Sequence, residues 1–135
     1  MFLTPLLSAP DGYALRNARE GSVVATQVEV AADSKSRRKG LLGRDGMRAG
    51  DALVIAPCGG IHTFWMRFAI DVLFVRKDGR VVKCVHAIPP WRIALAPLAS
   101  AAIELPAGTL RQTNTRKGDS LVVVRSSGAD VSAQD

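Results

Sequence analysis

The feature that most constrains this chain is a turn. Lys77-Asp78-Gly79 separates two apolar arms, Asp71 to Arg76 and Arg80 to Ile88. Asp-Gly suits the positive φ angles of a type I′ hairpin, so an antiparallel pair is expected, ended by Pro89-Pro90. Short apolar runs bounded by turn residues fill the rest of the chain. Val23 to Ala31 alternates, with Thr26, Val28 and Val30 on one side and Gln27 and Glu29 on the other, as a half-buried strand does. Ala52 to Ala56 stops at Pro57, and Gly59-Gly60 makes the next turn. Ala101 to Leu105 closes at Pro106-Ala107-Gly108, and Ser120 to Arg125 follows the turn Lys117-Gly118-Asp119. No helical pattern of about 10–15 residues separates these runs, which argues against a parallel α/β sheet. The expected fold is mainly β, a compact antiparallel β-sandwich or barrel. One short helix is expected at about residues 34–42, capped by Asp33 or Ser34 and ended by Gly40 or Gly43, with a helical turn near 109–115.

A length of 135 residues suits one domain. The reading is a loose N-terminal arm over 1–12, a single β domain over 13–125 and a flexible tail over 126–135. No apolar run reaches the roughly 18 residues that a membrane span needs. The start, MFLTPLLSAP, lacks the basic region and the long apolar stretch of a secretory signal, so a soluble, cytoplasmic protein is expected. Two cysteines are too few for a disulfide framework.

Charge is concentrated in one place. The chain carries +6 overall, and residues 35–50 hold Lys35, Arg37, Arg38, Lys39, Arg44 and Arg48 against Asp45 alone. Such a basic segment can attract phosphates or nucleic acid, or it can be a solvated helix face. No Phe, Trp or Tyr occurs between Tyr13 and Phe64, so the segment has no aromatics for stacking bases.

Signatures of catalysis and of cofactors are absent: no phosphate-cradling glycine loop, no GxGxxG, no HExxH, no GxSxG. No cofactor is expected. Cys58-x-x-x-His62 and Cys84-x-His86 together offer four ligands that suit zinc, but their spacing matches no known finger or ribbon. The plain alternative makes Cys84 a core residue and Cys58 a loop residue. An enzyme would have to use Asp71 or Glu104 as acid or base, or His62 paired with Cys58.

Residues 61–75, IHTFWMRFAIDVLFV, say the most. As one continuous strand they put Phe64, Met66, Phe68, Ile70, Val72 and Phe74 on an apolar face. The other face is mixed: Thr63, Trp65, Arg67, Ala69, Asp71 and Leu73. A bulge near Arg67 to Ala69 would exchange the faces beyond it and turn Asp71 inward, where it needs an Arg or backbone partner.

Five groups of residues in order resemble one family, and the resemblance spans roughly residues 22–124. They are Arg38-x-Gly40-Leu41-Leu42-Gly43-Arg44; Phe64-Trp65-Met66 with Ile70-Asp71-Val72-Leu73-Phe74; Asp78-Gly79-Arg80-Val81-Val82; Glu104-Leu105-Pro106-Ala107-Gly108-Thr109; and Lys117-Gly118-Asp119. Together they resemble the bacterial and archaeal domain of unknown function 192 family. The resemblance implies a compact, mainly antiparallel β domain whose short helix carries the Arg-x-Gly-Leu segment, and it implies no established activity. Many relatives have an Asn-Thr pair and a Pro where this chain has Arg67-Phe68-Ala69, which favours a continuous strand here. Convergence of Gly43, Arg44, Thr63, Trp65, Asp71 and Glu104 on one rim would make a binding site for a small or anionic ligand, with Arg44 meeting the anion and Trp65 forming a wall. The expected function is therefore a non-catalytic ligand-binding module. Its alternatives are phosphate or nucleic-acid binding through residues 35–50, an enzyme, and a structural or partner-binding protein.

Overall fold

The computed structural model describes residues 1–8 and 11–126. Its helices are α1 (Thr4–Ser8), α2 (Ser34–Lys39) and α3 (Thr109–Gln112). Its strands are β1 (Tyr13–Asn17), β2 (Val23–Ala25), β3 (Gln27–Ala31), β4 (Asp51–Ile55), β5 (Gly60–His62), β6 (Ile70–Val75), β7 (Val81–Ile88), β8 (Ile93–Leu95), β9 (Ala101–Pro106) and β10 (Leu121–Arg125). A five-stranded sheet runs β3-β4-β9-β6-β7, a three-stranded sheet runs β10-β1-β2, and β5 pairs with β8. The mainly β expectation holds. The sheets are open at their edges, however, so the fold is not a barrel. One pair is also parallel rather than antiparallel: β3 lies beside β4 in the register Gln27↔Asp51 to Ala31↔Ile55, joined by the connection that carries α2.

The central strands of the five-stranded sheet, β4, β9 and β6, are buried on both faces. Ala52, Val54, Leu73, Val75, Ile103 and Leu105 enter one core with Leu15, Leu121 and Val123. Leu53, Ile55, Ile70, Val72, Phe74 and Ala102 enter a second core with Leu41, Ile61, Met66 and Ala94. This explains why β6 reads as a continuous apolar run instead of an alternating one.

Local chemistry sets the boundaries. Asp33 accepts the Ser36 N–H at 2.8 Å and caps α2, and the chain leaves the helix at Gly40 with φ +47. The hairpin forms where expected, but only Gly79 takes a positive φ, +92, so the turn is not type I′. A Cβ at Gly79 would strike the Leu121 carbonyl and the Phe2 ring. The start of the chain is thus not a loose arm: Leu3 and Leu6 are fully buried in the first core, and the Phe2 N–H donates to the Lys77 carbonyl at 2.8 Å. Residues 127–135 of the expected tail lie outside the described residues.

Two expected strands are interrupted. Val23 to Ala31 breaks at Thr26, whose N–H and that of Gln27 both donate to the Gly50 carbonyl. Residues 61–75 are two strands, β5 and β6, separated by a turn over 63–69 in which Trp65 takes φ +68. Loss of the relatives' Pro therefore does not make the strand continuous. The Met66 N–H bonds to the Thr63 carbonyl and folds the chain back.

Candidate functional site

The two buried carboxyls of interest sit side by side in the sheet and face opposite ways. In the β6–β9 register Asp71 opposes Leu105, and Val72 opposes Glu104. Opposed residues share a face, so Asp71 joins the first core and Glu104 the second. Asp71 is wholly buried and accepts three backbone N–H groups, from Ala87 at 2.8 Å, Gly108 at 3.1 Å and Leu110 at 2.9 Å. It ties the end of β7 and the start of α3 to β6. The inward orientation with a backbone partner, one of the two sequence alternatives, is the one found.

Glu104 is only 3% exposed and its carboxyl makes no hydrogen bond among the described residues; since no wholly buried side-chain oxygen there lacks a partner, the carboxyl keeps its contact with solvent. It reaches the floor of a cleft of about 890 Å³, which runs between the segment after Asp33 and the turn into β5. Burial pushes its pKa up to about 7, against the pull of the Arg44 charge. Leu41, Ile55, Ile61 and Met66 give the cleft apolar walls, while Arg37, Arg38 and Lys39 supply cations along α2. Helix α2 positions those cations because its short capped turn carries three basic residues at its C-terminal end. Gly40 stands where a side chain would approach Glu104 Oε1, at 3.8 Å from a Cβ.

Cys58 and His62 line the same cleft. The Cys58 Sγ donates to the Gly60 carbonyl at 3.0 Å, and burial pushes the thiol up, with Glu104 adding to the effect. A raised thiol is the opposite of an activated nucleophile. His62 Nδ1 accepts the Phe64 N–H at 3.3 Å, so a neutral ring carries its proton on Nε2, and the ring stacks on Phe64 at 5.0 Å.

The other expected site residues do not meet there. Gly43 forms an exposed turn with φ +83, and Arg44 donates to Glu29 at 2.6 Å. Thr63 is wholly buried; its hydroxyl donates to the Pro89 carbonyl at 2.6 Å and accepts the Arg92 N–H at 2.9 Å. Trp65 is exposed and packs edge-on against Trp91 at 4.6 Å. Of the six, Glu104 alone lines the cleft. The four candidate metal ligands also divide. Cys58 packs against the second core and Cys84 against the first, where burial raises its thiol to about 11; His86 is exposed on β7. Among the described residues no group of three His, Cys, Asp or Glu is placed to hold a metal.

Sequence reasoning missed Leu41, Ile55 and Met66 as cleft walls, since an apolar residue looks the same whether it lines a cleft or a core. It also took Asp119 for a turn residue. Asp119 is buried and accepts from Arg19 at 2.6 Å, from Asn17 at 2.9 Å and from the Arg116 N–H at 3.0 Å, locking β1 to the start of β10.

No curated protein matches this chain. Two crystal structures share its fold. One is a Sinorhizobium meliloti 1021 protein described as a "putative transcription regulator", 23% identical, with a TM-score of 0.71 over 81% of this chain and 89% of that one. The other is a Novosphingobium aromaticivorans protein of unknown function, 20% identical, with a TM-score of 0.70 over 81% of each chain. The model of one family, DUF192, described as "Uncharacterized ACR", matches residues 15–123. That match takes in every motif from β1 to β10, and the chain belongs to the domain of unknown function 192 family.

Proposed function

We propose that this chain is a non-catalytic binding module for a small molecule with an anionic group and an apolar body, held in the Glu104 cleft. The observation that carries the reading is Glu104 itself. A carboxyl largely withdrawn from water, with no protein partner and its remaining exposure toward the cleft, leaves its hydrogen-bonding capacity to whatever occupies that cleft. With its pKa near 7 it can donate or accept a hydrogen bond at neutral pH, so it suits a polar ligand atom of either kind. Arg38 and Lys39 at the rim take the anionic group, and Leu41, Ile61 and Met66 cover the apolar part. Both cysteines are free thiols, in keeping with a reducing, cytoplasmic home.

The test uses the cysteines as an internal pair. Small carboxylates and phosphate esters are screened by thermal shift, and each hit is checked for protection against iodoacetamide. A ligand in the cleft raises Tm and slows alkylation of Cys58 but not of Cys84, and Arg38→Ala weakens it about tenfold. A panel in which no compound moves either readout, or in which hits protect both thiols equally, sinks the reading.

Nucleic-acid binding by residues 35–50 is the second reading, favoured by the description of the Sinorhizobium meliloti neighbour. Against it, Arg44 is held by Glu29, and Arg37 donates to the Pro57 carbonyl. Retention of a DNA probe at physiological salt, lost in Lys35→Glu with Arg38→Glu, would promote this reading above the first.

A further inference from the structure

Away from the cleft floor, the chain exposes an apolar ridge. Ile93 and Leu95 are the outward positions of β8, 61% and 63% exposed, with Ala94 buried between them. Trp91, 52% exposed, precedes the strand, and Leu98, 79% exposed, follows it. Trp65, 72% exposed, joins the ridge through its edge contact with Trp91. These side chains are not loosely displayed. Both tryptophans hold φ +68, an unfavourable backbone for a bulky residue. Thr63 stitches the two turns together: its N–H donates to the Arg92 carbonyl at 2.8 Å, and its own carbonyl accepts the N–H groups of Trp91 at 3.1 Å and Met66 at 3.2 Å.

The two stretches that build the ridge carry charge of one sign, and Asp45 is an exposed acid beside them. No Asp or Glu occurs between Asp51 and Asp71, or between Asp78 and Glu104, the two stretches that build the ridge. Arg67, Lys83 and Arg92 are exposed there; the Lys83 ammonium donates to the Leu95 carbonyl, and Arg67 alone has an acidic partner, Asp45.

We propose that this ridge docks the protein on an anionic lipid bilayer, with Leu98, Leu95 and Ile93 entering the acyl boundary, the tryptophans at headgroup level and the cations on lipid phosphates. Aliphatic tips flanked by indoles and ringed by Lys and Arg match the layered polarity of a membrane interface. Single-stranded nucleic acid would stack on the indoles but leave the aliphatic side chains without a partner. A second copy meeting the ridge about a two-fold axis would bring two cation-bearing surfaces together, with no acid from either ridge-building stretch to face Lys83 and Arg92.

The experiment exploits the fact that the chain has only two tryptophans, and both lie on the ridge. Tryptophan emission of the full chain is followed while it is mixed with vesicles of phosphatidylglycerol and phosphatidylcholine in equal parts, alongside co-sedimentation. The expected result is a blue shift, quenching by bromine-labelled acyl chains, weaker binding to phosphatidylcholine alone, and loss of about tenfold or more in partitioning for Ile93→Asp with Leu98→Asp. Circular dichroism and Tm check that variant's fold, and bromolipid quenching of the natural chain decides the question without it. No co-sedimentation with anionic vesicles overturns the proposal. So does a folded double variant that binds as well as the natural chain. A blue shift that needs no vesicles and grows with protein concentration overturns it in favour of self-association, and one produced by an oligonucleotide but not by vesicles does so in favour of nucleic acid.

Discussion

Asp71 and Glu104 stand on neighbouring strands of one sheet, both largely withdrawn from water, and are treated in opposite ways. Asp71 has three backbone N–H donors; Glu104 has none. The difference follows from what each face meets. On the Asp71 side, the last turn of β7 and the entry to α3 leave backbone donors without ladder partners, and a carboxylate gathers them. On the Glu104 side, α2 and the β5 turn stand apart, and the carboxyl looks into the space between them. One buried acid is thus a fastening of the fold, and the other is an open valence.

Breaking the fastening should cost most. Asp71→Ala leaves three buried N–H groups without an acceptor, at about 1–3 kcal/mol each before water or relaxation offsets part of it. The expected loss is about 4 kcal/mol in urea unfolding, a large share of a domain's stability. A loss below about 1 kcal/mol would show that the donors find other acceptors and that the contrast with Glu104 is empty.

The open valence should behave in the reverse sense, and pH exposes it. Glu104 has a folded pKa of about 7 against an ordinary 4.5, so between those values the folded chain binds more protons than the unfolded one. Stability contributed by this group is therefore present at low pH and lost as pH rises through that window. At about 1.4 kcal/mol per unit the penalty is on the order of 3 kcal/mol at pH 8. Glu104→Gln removes it, so the variant should be more stable than the natural chain at pH 8 and little different at pH 4.5. Equal stabilities of the two proteins at pH 8 would mean that the carboxylate is solvated or paired after all.

Much of this contrast was within reach of the sequence, and part was not. The parity of Ala101-Ala102-Ile103-Glu104-Leu105 already puts Glu104 on the face of Ala102, away from Ile103 and Leu105. The parity of Ile70 to Phe74 likewise separates Asp71 from Val72. Strand pairing was the missing step, because no local pattern says that Asp71 opposes Leu105. The turns were legible from Gly and Pro, as were the Asp33 cap and the Gly40 stop. The interruption at 63–69 was not. Thr63, Phe64, Trp65 and Phe68 there favour strands, and the break comes from Thr63 bonding to Pro89 and Arg92, some thirty positions away in the chain. Tertiary hydrogen bonds overrode a local preference, and with that the supposed rim of Arg44, Thr63, Trp65 and Asp71 came apart.

Asp119 sharpens the comparison from a third position. Its pKa is held well below the ordinary carboxylate range, first by the Arg19 guanidinium and then by the Asn17 amide and the Arg116 N–H. Its contribution is present above the ordinary value near 4 and is lost as pH falls through the lower folded value, opposite in sign to that of Glu104. Asp119→Asn should cost about 1–2 kcal/mol at pH 7 through weakened charge-assisted bonds and progressively less in acid. A cost independent of pH would assign the effect to packing instead.

The smallest effect lies where Asp71 meets β7. Ile70 pairs with Ile88 and Val72 with Val85, so His86 and Ala87 together oppose Asp71 and form a bulge. Ala87 takes φ +46 there, and its N–H, freed from the ladder, is one of the three that Asp71 accepts. Holding an L residue in that region costs about 1 kcal/mol, while glycine's greater freedom in the unfolded chain removes about half of any gain. Ala87→Gly should therefore stabilise the protein by about 0.5 kcal/mol. If Asp71 is what holds the bulge in this conformation, the gain should vanish in an Asp71→Ala background, where Ala87 is free to relax. The same gain in both backgrounds would show that the bulge is set by β7 alone, and Asp71 would then be a beneficiary of the strain and not its cause.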